Sequence, residues 1–354
     1  VGDIAMVKLI RHIFSGIHPE VEMTRYLTSV GYANTAPLLG EIARIAPDGT
    51  RSTLIIVQGA IRNQGDAWTW MLSTLRRTLD DALTSVADAA PAEVQDGLFS
   101  PLMDFVSNVG TRLGELHVAL AKPTDEDAFA PVHAGPGDVE DLRRQVVGQI
   151  SDGLDILDGA RADVDPALGS EIAMLIDGRD TLLASIGALA DSAADTLMIR
   201  NHGDFHLGQI LVAEADAYII DFEGEPARDL EERRAKTNPL RDVAGLLRSL
   251  SYLGATADLD TEAVAEPNDG RRTALIRAFI ERAEVAFLSS YFAVTETSDH
   301  LRMPDAIRAR ILDLFLLEKA AYEIAYEARN RPKWLPIPLA GFSAIVRRLS
   351  ESNA

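Results

Sequence analysis

The sequence contains no cysteine in 354 residues, so disulfides, thiolate metal sites and cysteine nucleophiles are all excluded. It has no apolar run near the roughly 20 residues that a membrane span needs, and its start, VGDIAMVKLIRHIF, lacks the order of a signal peptide. The sequence has fewer basic than acidic side chains, 34 against 54, which gives a formal net charge of −20. Such a chain repels nucleic-acid backbones and anionic lipids. We expect a cytoplasmic protein with no nucleic-acid or membrane partner.

The first part of the chain has the pattern of a small α/β unit. IAMVKLI predicts a strand, and a helix is predicted from about Pro19 until Gly31 ends it. Two further strands, at about residues 38–44 and 52–58, are separated by the turn signal PDGT. Together these elements predict a helix next to a hairpin-containing sheet.

Helical periodicity dominates from Trp68 onward, because apolar residues then recur every three or four positions. A loop rich in proline, glycine and aspartate follows at 121–138, where Asp138 is placed to cap the next helix. Two acidic amphipathic helices, at about 139–160 and 166–189, are predicted to form an antiparallel pair. Strand patterns return only in TLMIR, QILVA and AYIIDF.

These three late strands surround a polar cluster in IRNHGDFHLGQILVAEADAYIIDFEGEP, residues 199–226. Asp204 lies between two histidines, Gln209 follows it by five positions, and Asp221 ends an apolar strand. In kinase-type phosphoryl transfer, a loop carboxylate orients the acceptor hydroxyl, while an amide and a second carboxylate hold magnesium on the nucleotide phosphates. The pattern therefore predicts Asp204 as the base, and Gln209 and Asp221 as ligands of Mg²⁺ in an ATP complex.

A histidine-ligated metal hydrolase is the competing interpretation of the same cluster. His202, Asp204 and His206 alternate along the chain and converge on zinc or a dimetal centre in this alternative. Such a site needs more ligands, and the other histidines lie in no ligand-like motif. The kinase interpretation is therefore favoured, with both histidines structural.

A kinase also needs a cation on the phosphates. Lys8 lies among aliphatic residues in the first strand, where a phosphate-binding lysine is expected. Glu22 in the following helix is its predicted ion-pair partner, with Glu20 as the second choice. Three residues at the end of the last small-lobe strand are the candidates for the adenine pocket: Val57, Gln58 and Gly59.

The sequence resembles the bacterial maltokinases, within the aminoglycoside-phosphotransferase-like kinases. The matching stretches include VKLIRHIFSGIHPEVEMTRYL, VQGAIRNQGDAWTW, HGDFHLGQIL, IDFEGEPARDLEERRAKTNPLRDVAGLLRSLSY and AYEIAYEARNRPKWLPIPL, in the family's order. HGDFHLGQ indicates only the wider kinase group, whereas DFEGEP followed by ERRAKTNPLRDVAGLLRS is more specific. The resemblance implies ATP-dependent phosphorylation of maltose to maltose 1-phosphate for α-glucan synthesis. It also implies a partner, because such kinase modules occur fused to trehalose synthase.

The resemblance also assigns roles to residues. It makes Asp204 the base, Gln209 and Asp221 the magnesium ligands, and Lys8 the phosphate lysine. Three more residues lie where the family borders its sugar pocket: Glu223, Arg241 and Asp242. A helix cap is an equal alternative for Asp242.

One departure from the family concerns the small lobe. Maltokinases carry a cap and a strand-loop-strand phosphate clamp before the lysine strand, and this sequence opens at that strand. We therefore expect an α+β, two-lobed, protein-kinase-like fold with a truncated N-terminal lobe. The predicted division is residues 1–62 for the partial nucleotide-binding lobe and hinge, and 63–354 for the helical lobe with the catalytic hairpin. The alternatives are a related glucosamine or glucose kinase, or a weakly active domain that docks to trehalose synthase.

Overall fold

The computed structural model describes residues 2–84, 97–161, 164–259 and 270–352. The chain divides into two compact units. The first comprises Val1–Pro131, Ile199–Lys236 and Ser249–Arg302, and the second comprises Val132–Met198, Thr237–Arg248 and Met303–Ala354. The boundary between these units does not fall at residue 62, because the helices at 67–84 and 100–120 belong to the same unit as the small sheet. The division of the chain into lobes at residue 62 stays a prediction.

Short strands are interspersed with longer helices along the described part of the chain. The strands are β1 (Ala5–Leu9), β2 (Leu38–Ile45), β3 (Arg51–Gly59), β4 (Val132–His133), β5 (Leu197–Arg200), β6 (Ile210–Ala213), β7 (Asp216–Ile219) and β8 (Lys236–Thr237). The helices are α1 (Pro19–Ser29), α2 (Ala67–Thr84), α3 (Ser100–Leu120), α4 (Pro136–Ala160), α5 (Pro166–Asp177), α6 (Arg179–Ala190), α7 (Leu230–Arg234), α8 (Leu240–Leu259), α9 (Arg271–Thr295), α10 (Asp305–Asn330) and α11 (Pro336–Ser352).

The small sheet has the predicted strands in the antiparallel order β1-β3-β2. Lys8 of β1 stands opposite Ile56 of β3, and directly opposed residues share a face of the sheet. Ile56 is fully buried in a cluster with Val21 of α1, so this face of the sheet is the one that α1 covers. Lys8 is therefore directed to the helix side, while its neighbours Val7 and Leu9 are exposed.

The remainder of the first unit is built around two long helices, α3 and α9, which lie unusually close together. A Cβ atom added to Gly110 of α3 would lie 2.4 Å from the Phe287 carbonyl oxygen of α9. One turn later, a Cβ on Gly114 would lie 2.9 Å from Cβ of Val294. The two glycines thus allow the backbones to approach where a side chain would keep them apart.

The second unit is a helical cluster of α4, α5, α6, α10 and α11 around its own apolar core. The predicted helix at 166–189 is wrong as a single element, because Gly178 separates α5 from α6. Asp138 does cap α4, as the third residue of a capping box whose N-cap is Gly135. It lies in the first turn of that helix, and its carboxylate accepts the Gly135 N–H at 2.8 Å.

The β6–β7 hairpin turns through only two residues, Glu214 and Ala215. Both have a left-handed backbone, with φ of 52° and 64°, as a type I′ turn requires. This turn brings QILVA and AYIIDF into the predicted antiparallel pair, with Ile210 opposite Ile219. In the described part of the chain, no helix combines the length and the apolar character that crossing a membrane demands.

Candidate active site

The structure brings Lys8 onto the two carboxylates that follow the hairpin. Its ammonium group donates to Asp221 Oδ1 at 2.8 Å and also contacts the carboxylate of Glu223. All three residues belong to the first unit. The sequence predicted Lys8 and Asp221 as parts of one site, and the structure places them together. Their catalytic roles remain predictions.

The charged side chains of this cluster shift one another's pKa values. Burial alone would lower the pKa of Lys8, but Glu20, Asp221 and Glu223 outweigh that effect and raise it above the ordinary lysine value. Burial likewise works to raise the pKa of Asp221, and the hydrogen bond from Lys8 reverses this and lowers it. The ammonium and the Asp221 carboxylate are therefore both charged at neutral pH.

Glu22 is not the partner of Lys8, contrary to the prediction. Its carboxylate is held by Arg200 and Arg234 instead, at 2.6 Å from each. Glu20 is the glutamate of α1 whose charge raises the pKa of Lys8. Its carboxylate accepts a 2.8 Å hydrogen bond from Gln58. Residues two positions apart on a helix point in nearly opposite directions, so only one of the two glutamates faces the lysine.

The donor set suits a hard cation. Glu20, Asp221 and Glu223 each place a carboxylate oxygen within 4.8 Å of the other two. Among the described residues, they form the cluster of acidic side chains that is close enough to hold a metal ion. Gln209 adds an amide that hydrogen-bonds to Asp221. Oxygen ligands of this type fit Mg²⁺. The predicted pair Gln209 and Asp221 is thus adjacent in space, and Glu20 and Glu223 enlarge the set that the sequence named.

Asp204 lies in the loop between β5 and β6, with its carboxylate partly exposed and 4.0 Å from Nε2 of His206. His202 fixes the position of this loop. Its Nε2 donates to the Ile220 carbonyl at 2.9 Å, so its Nδ1 is the unprotonated nitrogen that faces the Asp204 N–H at 3.4 Å. One imidazole thus joins the backbone of the Asp204 loop to the residue before Asp221.

The same contacts weigh against the zinc alternative. Both ring nitrogens of His202 are engaged with the backbone, and the ring is buried between Phe205 and Phe222. Nδ1 of His206 faces the Gly208 N–H at 3.1 Å. These histidines serve the local fold, as the kinase interpretation expects.

The adenine candidates lie inside the ladder of the small sheet. Val57 pairs with both Val7 and Gly40, and Gly59 donates its N–H to the Pro37 carbonyl at 2.9 Å. The side chain of Gln58 is buried against Glu20. This pairing weighs against main-chain contacts to a base at Val57, Gln58 and Gly59, and their role stays a prediction.

The predicted sugar-pocket residues fall in different units. Glu223 lies in the first unit, in contact with Lys8. Arg241 and Asp242 lie in the second, in the first turn of α8. Arg241 contacts Glu318, which also accepts a 2.8 Å hydrogen bond from Gln145. Asn238, rather than Asp242, accepts the Leu240 N–H at the start of this helix.

Sequence reasoning missed Arg200 and Arg234. Arg200 is almost completely buried at the end of β5, four residues before Asp204. A charged residue that ends an apolar strand is a signal for a buried ion pair, because an unpaired buried charge is costly. The identity of its partner, 178 positions away, was not readable from the sequence.

No family model matches the sequence. Glucosamine kinase of Mycolicibacterium smegmatis is 28% identical over 353 residues, which cover 98% of this chain and 76% of that protein. Glucosamine kinase of Streptacidiphilus jiangxiensis is 28% identical over 273 residues. These residues cover 77% of this chain and 53% of that protein, so the chain spans about half the length of this relative.

Solved structures of glucosamine kinase show the same fold. One crystal form has a TM-score of 0.75 at 24% identity, over 98% of this chain and 75% of that one. A complex with glucosamine, ADP and inorganic phosphate has a TM-score of 0.74 at 24% identity, over 98% of this chain and 73% of that one. The predicted kinase-like α+β fold is therefore confirmed.

Proposed function

We propose that this chain is an ATP-dependent sugar kinase whose acceptor is an amino sugar of the glucosamine type. The observation that carries the proposal is the contact of Lys8 with Asp221 in a chain that has the fold of glucosamine kinases. A lysine, an amide and a carboxylate that hold the metal, and a loop aspartate are the parts that kinase-type phosphoryl transfer needs. The resemblance to maltokinases points to the same reaction class.

In this proposal each residue has a defined task. The acceptor hydroxyl oxygen forms a bond to the γ-phosphorus of ATP, the bond from that phosphorus to the bridging oxygen breaks, and ADP leaves. Asp204 orients the hydroxyl and receives its proton, while Lys8 binds phosphate oxygens. Gln209 and Asp221 would hold Mg²⁺, which supplies charge neutralisation at the phosphates when bound. Catalysis is then mainly positioning and electrostatics.

Glucosamine is a better-supported acceptor than maltose. The relatives found by sequence and the solved structures of the same fold are glucosamine kinases, as the alternative to maltose anticipated. An amino sugar also carries an ammonium group, which the net charge of −20 attracts. The comparisons lend no support to maltose, to trehalose synthase as a partner or to a role in α-glucan synthesis.

The test is a phosphorylation assay with ATP and Mg²⁺ on glucosamine, glucose and maltose. Mass spectrometry of the sugar identifies the product, and the Asp204→Asn variant is the control, with its fold checked by circular dichroism. We expect glucosamine phosphate from the wild type and a kcat lower by about 10²–10⁴-fold in the variant. Phosphorylation of maltose alone would restore the maltokinase assignment. A wild type that binds MgATP and phosphorylates none of the three sugars would overturn the proposal.

A further inference from the structure

Glu22 of α1 joins two arginines that come from opposite sides of the catalytic segment in sequence. Arg200 donates from Nη1 to Glu22 Oε2 at 2.6 Å. Arg234 donates from Nε to Oε2 at 2.9 Å and from Nη2 to Oε1 at 2.6 Å. Arg200 immediately precedes the loop of Asp204, and Arg234 ends α7, which follows the loop of Asp221 and Glu223.

The contact with Arg200 is buried and tightly packed. Arg200 is 1% exposed, and its guanidinium lies 5.2 Å from the centre of the Phe129 ring. Phe129 in turn stacks on Tyr26 of α1, with ring centres 3.8 Å apart. The hydrogen bonds from Arg234 and Arg200 overcome the effect of burial, which alone would raise the pKa of Glu22, and lower it below the ordinary value. Glu22 is thus a carboxylate at neutral pH, and it holds the end of β5 against α1.

The two glutamates of α1 act on different parts of the site. Glu20 and Glu22 are two positions apart, which is roughly 200° around a helix, so they point in nearly opposite directions. Glu20 belongs to the carboxylate group around Lys8. Glu22 belongs to the ion-pair cluster behind the Asp204 loop. One short helix therefore touches both the lysine cluster and the segment that leads to the catalytic aspartate.

We infer that Glu22 is a positioning residue, which sets the placement of Asp204 through Arg200 and that of the Asp221–Glu223 loop through Arg234. It is not a partner of Lys8, because both of its carboxylate oxygens accept hydrogen bonds from arginines. The inference rests on the proposed kinase function for its kinetic part. Its structural part, the fixing of the segment 199–204, is independent of which acceptor is used.

The first experiment replaces Glu22 with glutamine, which keeps the side-chain shape and removes the charge. We expect kcat to fall by about 10²-fold, because small displacements of a catalytic group have effects of that size. The KM for ATP should change less, within about 3-fold, because the direct contacts of Lys8 with Asp221 and Glu223 still restrain the loop that Arg234 no longer holds in place. Glu22→Asp, which retains the charge, should recover part of the lost kcat.

Glu41 provides a matched control. Its carboxylate is 4% exposed, pairs with Arg51 and with Arg25 at 3.1 Å, and lies in β2 of the same unit. Glu41→Gln therefore removes the charge of a comparably buried glutamate that also has two arginine partners. Neither of those arginines belongs to the Asp204 segment. We expect a kcat within about 2-fold of the wild type for this variant.

Hydrogen exchange provides a readout that needs no turnover. Amides of residues 199–204 should exchange faster in Glu22→Gln than in the wild type, and at the wild-type rate in Glu41→Gln. Should Glu22→Gln fail to fold, Arg234→Gln carries the test, because it leaves the Arg200–Glu22 pair in place. It should lower kcat by about 10-fold.

The inference is overturned if Glu22→Gln keeps wild-type kcat and exchange, or if Glu41→Gln loses as much kcat as Glu22→Gln. It is also overturned if Arg234→Gln, used in its place, retains wild-type kcat. A wild type that phosphorylates no sugar would instead overturn the proposed kinase function. The exchange measurement would then still decide whether Glu22 fixes the segment.

Discussion

Lys8 and Asp221 are joined by a 2.8 Å hydrogen bond, although 213 positions separate them in the chain. Asp221 has a left-handed backbone, with φ of 67°, which is rare for a residue other than glycine. Such a conformation costs about 1–3 kcal/mol and persists where the surroundings determine it. The ammonium of Lys8 and the amide of Gln209 both bind the Asp221 carboxylate and help to hold it there. These two hydrogen bonds orient the carboxylate.

Replacing Lys8 with methionine tests this arrangement. The variant loses the cation that we propose to bind phosphate, and it leaves Glu20, Asp221 and Glu223 as neighbouring carboxylates without that cation. We expect kcat/KM for ATP to fall by about 10²–10³-fold, as when one charged donor is removed from a transition-state site. Steady-state kinetics measure it, and Lys122→Met, at an exposed position, serves as the control. Equal losses in both variants would mean that Lys8 has no special role.

Because α3 packs closely on α9, a larger residue at their contact should lower the stability of the protein. Gly110→Ala would place its Cβ 2.4 Å from the Phe287 carbonyl oxygen, so the helices must separate. We expect the free energy of unfolding to fall by about 1–3 kcal/mol. The matched control is Gly148→Ala in α4, where an added Cβ meets nothing within 4 Å. It should instead stabilise by about 0.5–1 kcal/mol. Urea unfolding of both variants measures the difference, and two changes of the same sign would contradict the prediction.

The sequence predicted the elements of the small sheet and the late hairpin because their signals are local. Alternating apolar residues, the PDGT turn and Gly31 specify β1, α1, β2 and β3 within short stretches. The helix predicted at 166–189 was wrong at Gly178, because apolar periodicity continues across a residue that interrupts the backbone. Periodicity shows which face of a segment is apolar, but not whether the segment is one helix or two.

The sequence indicated candidate residues for the site but not all of their contacts. Asp204, Gln209 and Asp221 follow one another at a recognisable spacing, whereas Glu20 and Glu22 are chemically identical and both lie in the first turns of α1. Choosing between them requires knowing which side of the helix faces Lys8. That depends on how α1 packs on the sheet, which involves Val21 and Ile56, and a single sequence does not contain this information.

Acid should weaken the contact between α3 and the β6–β7 hairpin. Asp216 accepts hydrogen bonds from Arg112 at 2.9 Å and 2.8 Å. Burial works to raise the pKa of Asp216, but the bonds from Arg112 outweigh it and lower the pKa below the ordinary 3.8. A depressed pKa in the folded state means that the stabilisation is present above pH 3.8 and is lost as the pH falls through the lower folded value.

The Asp216→Asn variant should therefore be less stable than the wild type at pH 7, by at most about 1 kcal/mol after solvent screening. The difference should shrink at an acidic pH below the lowered pKa of the folded state, where the wild-type carboxylate becomes protonated. Urea unfolding at both pH values measures this, and Asp299→Asn, at an exposed position, is the control. A difference that does not depend on pH would show that the charge of Asp216 contributes nothing.

His202 should matter for both stability and turnover. His202→Phe keeps a ring between Phe205 and Phe222 but removes the donor to the Ile220 carbonyl and the acceptor that faces the Asp204 N–H. We expect the free energy of unfolding to fall by about 1–3 kcal/mol, the cost of leaving buried polar groups unsatisfied. We also expect a lower kcat, because the Asp204 loop loses its link to the residue before Asp221. His300→Phe, at an exposed position, should change neither quantity. If His202→Phe lowers stability but leaves kcat unchanged, the imidazole supports the fold without positioning Asp204.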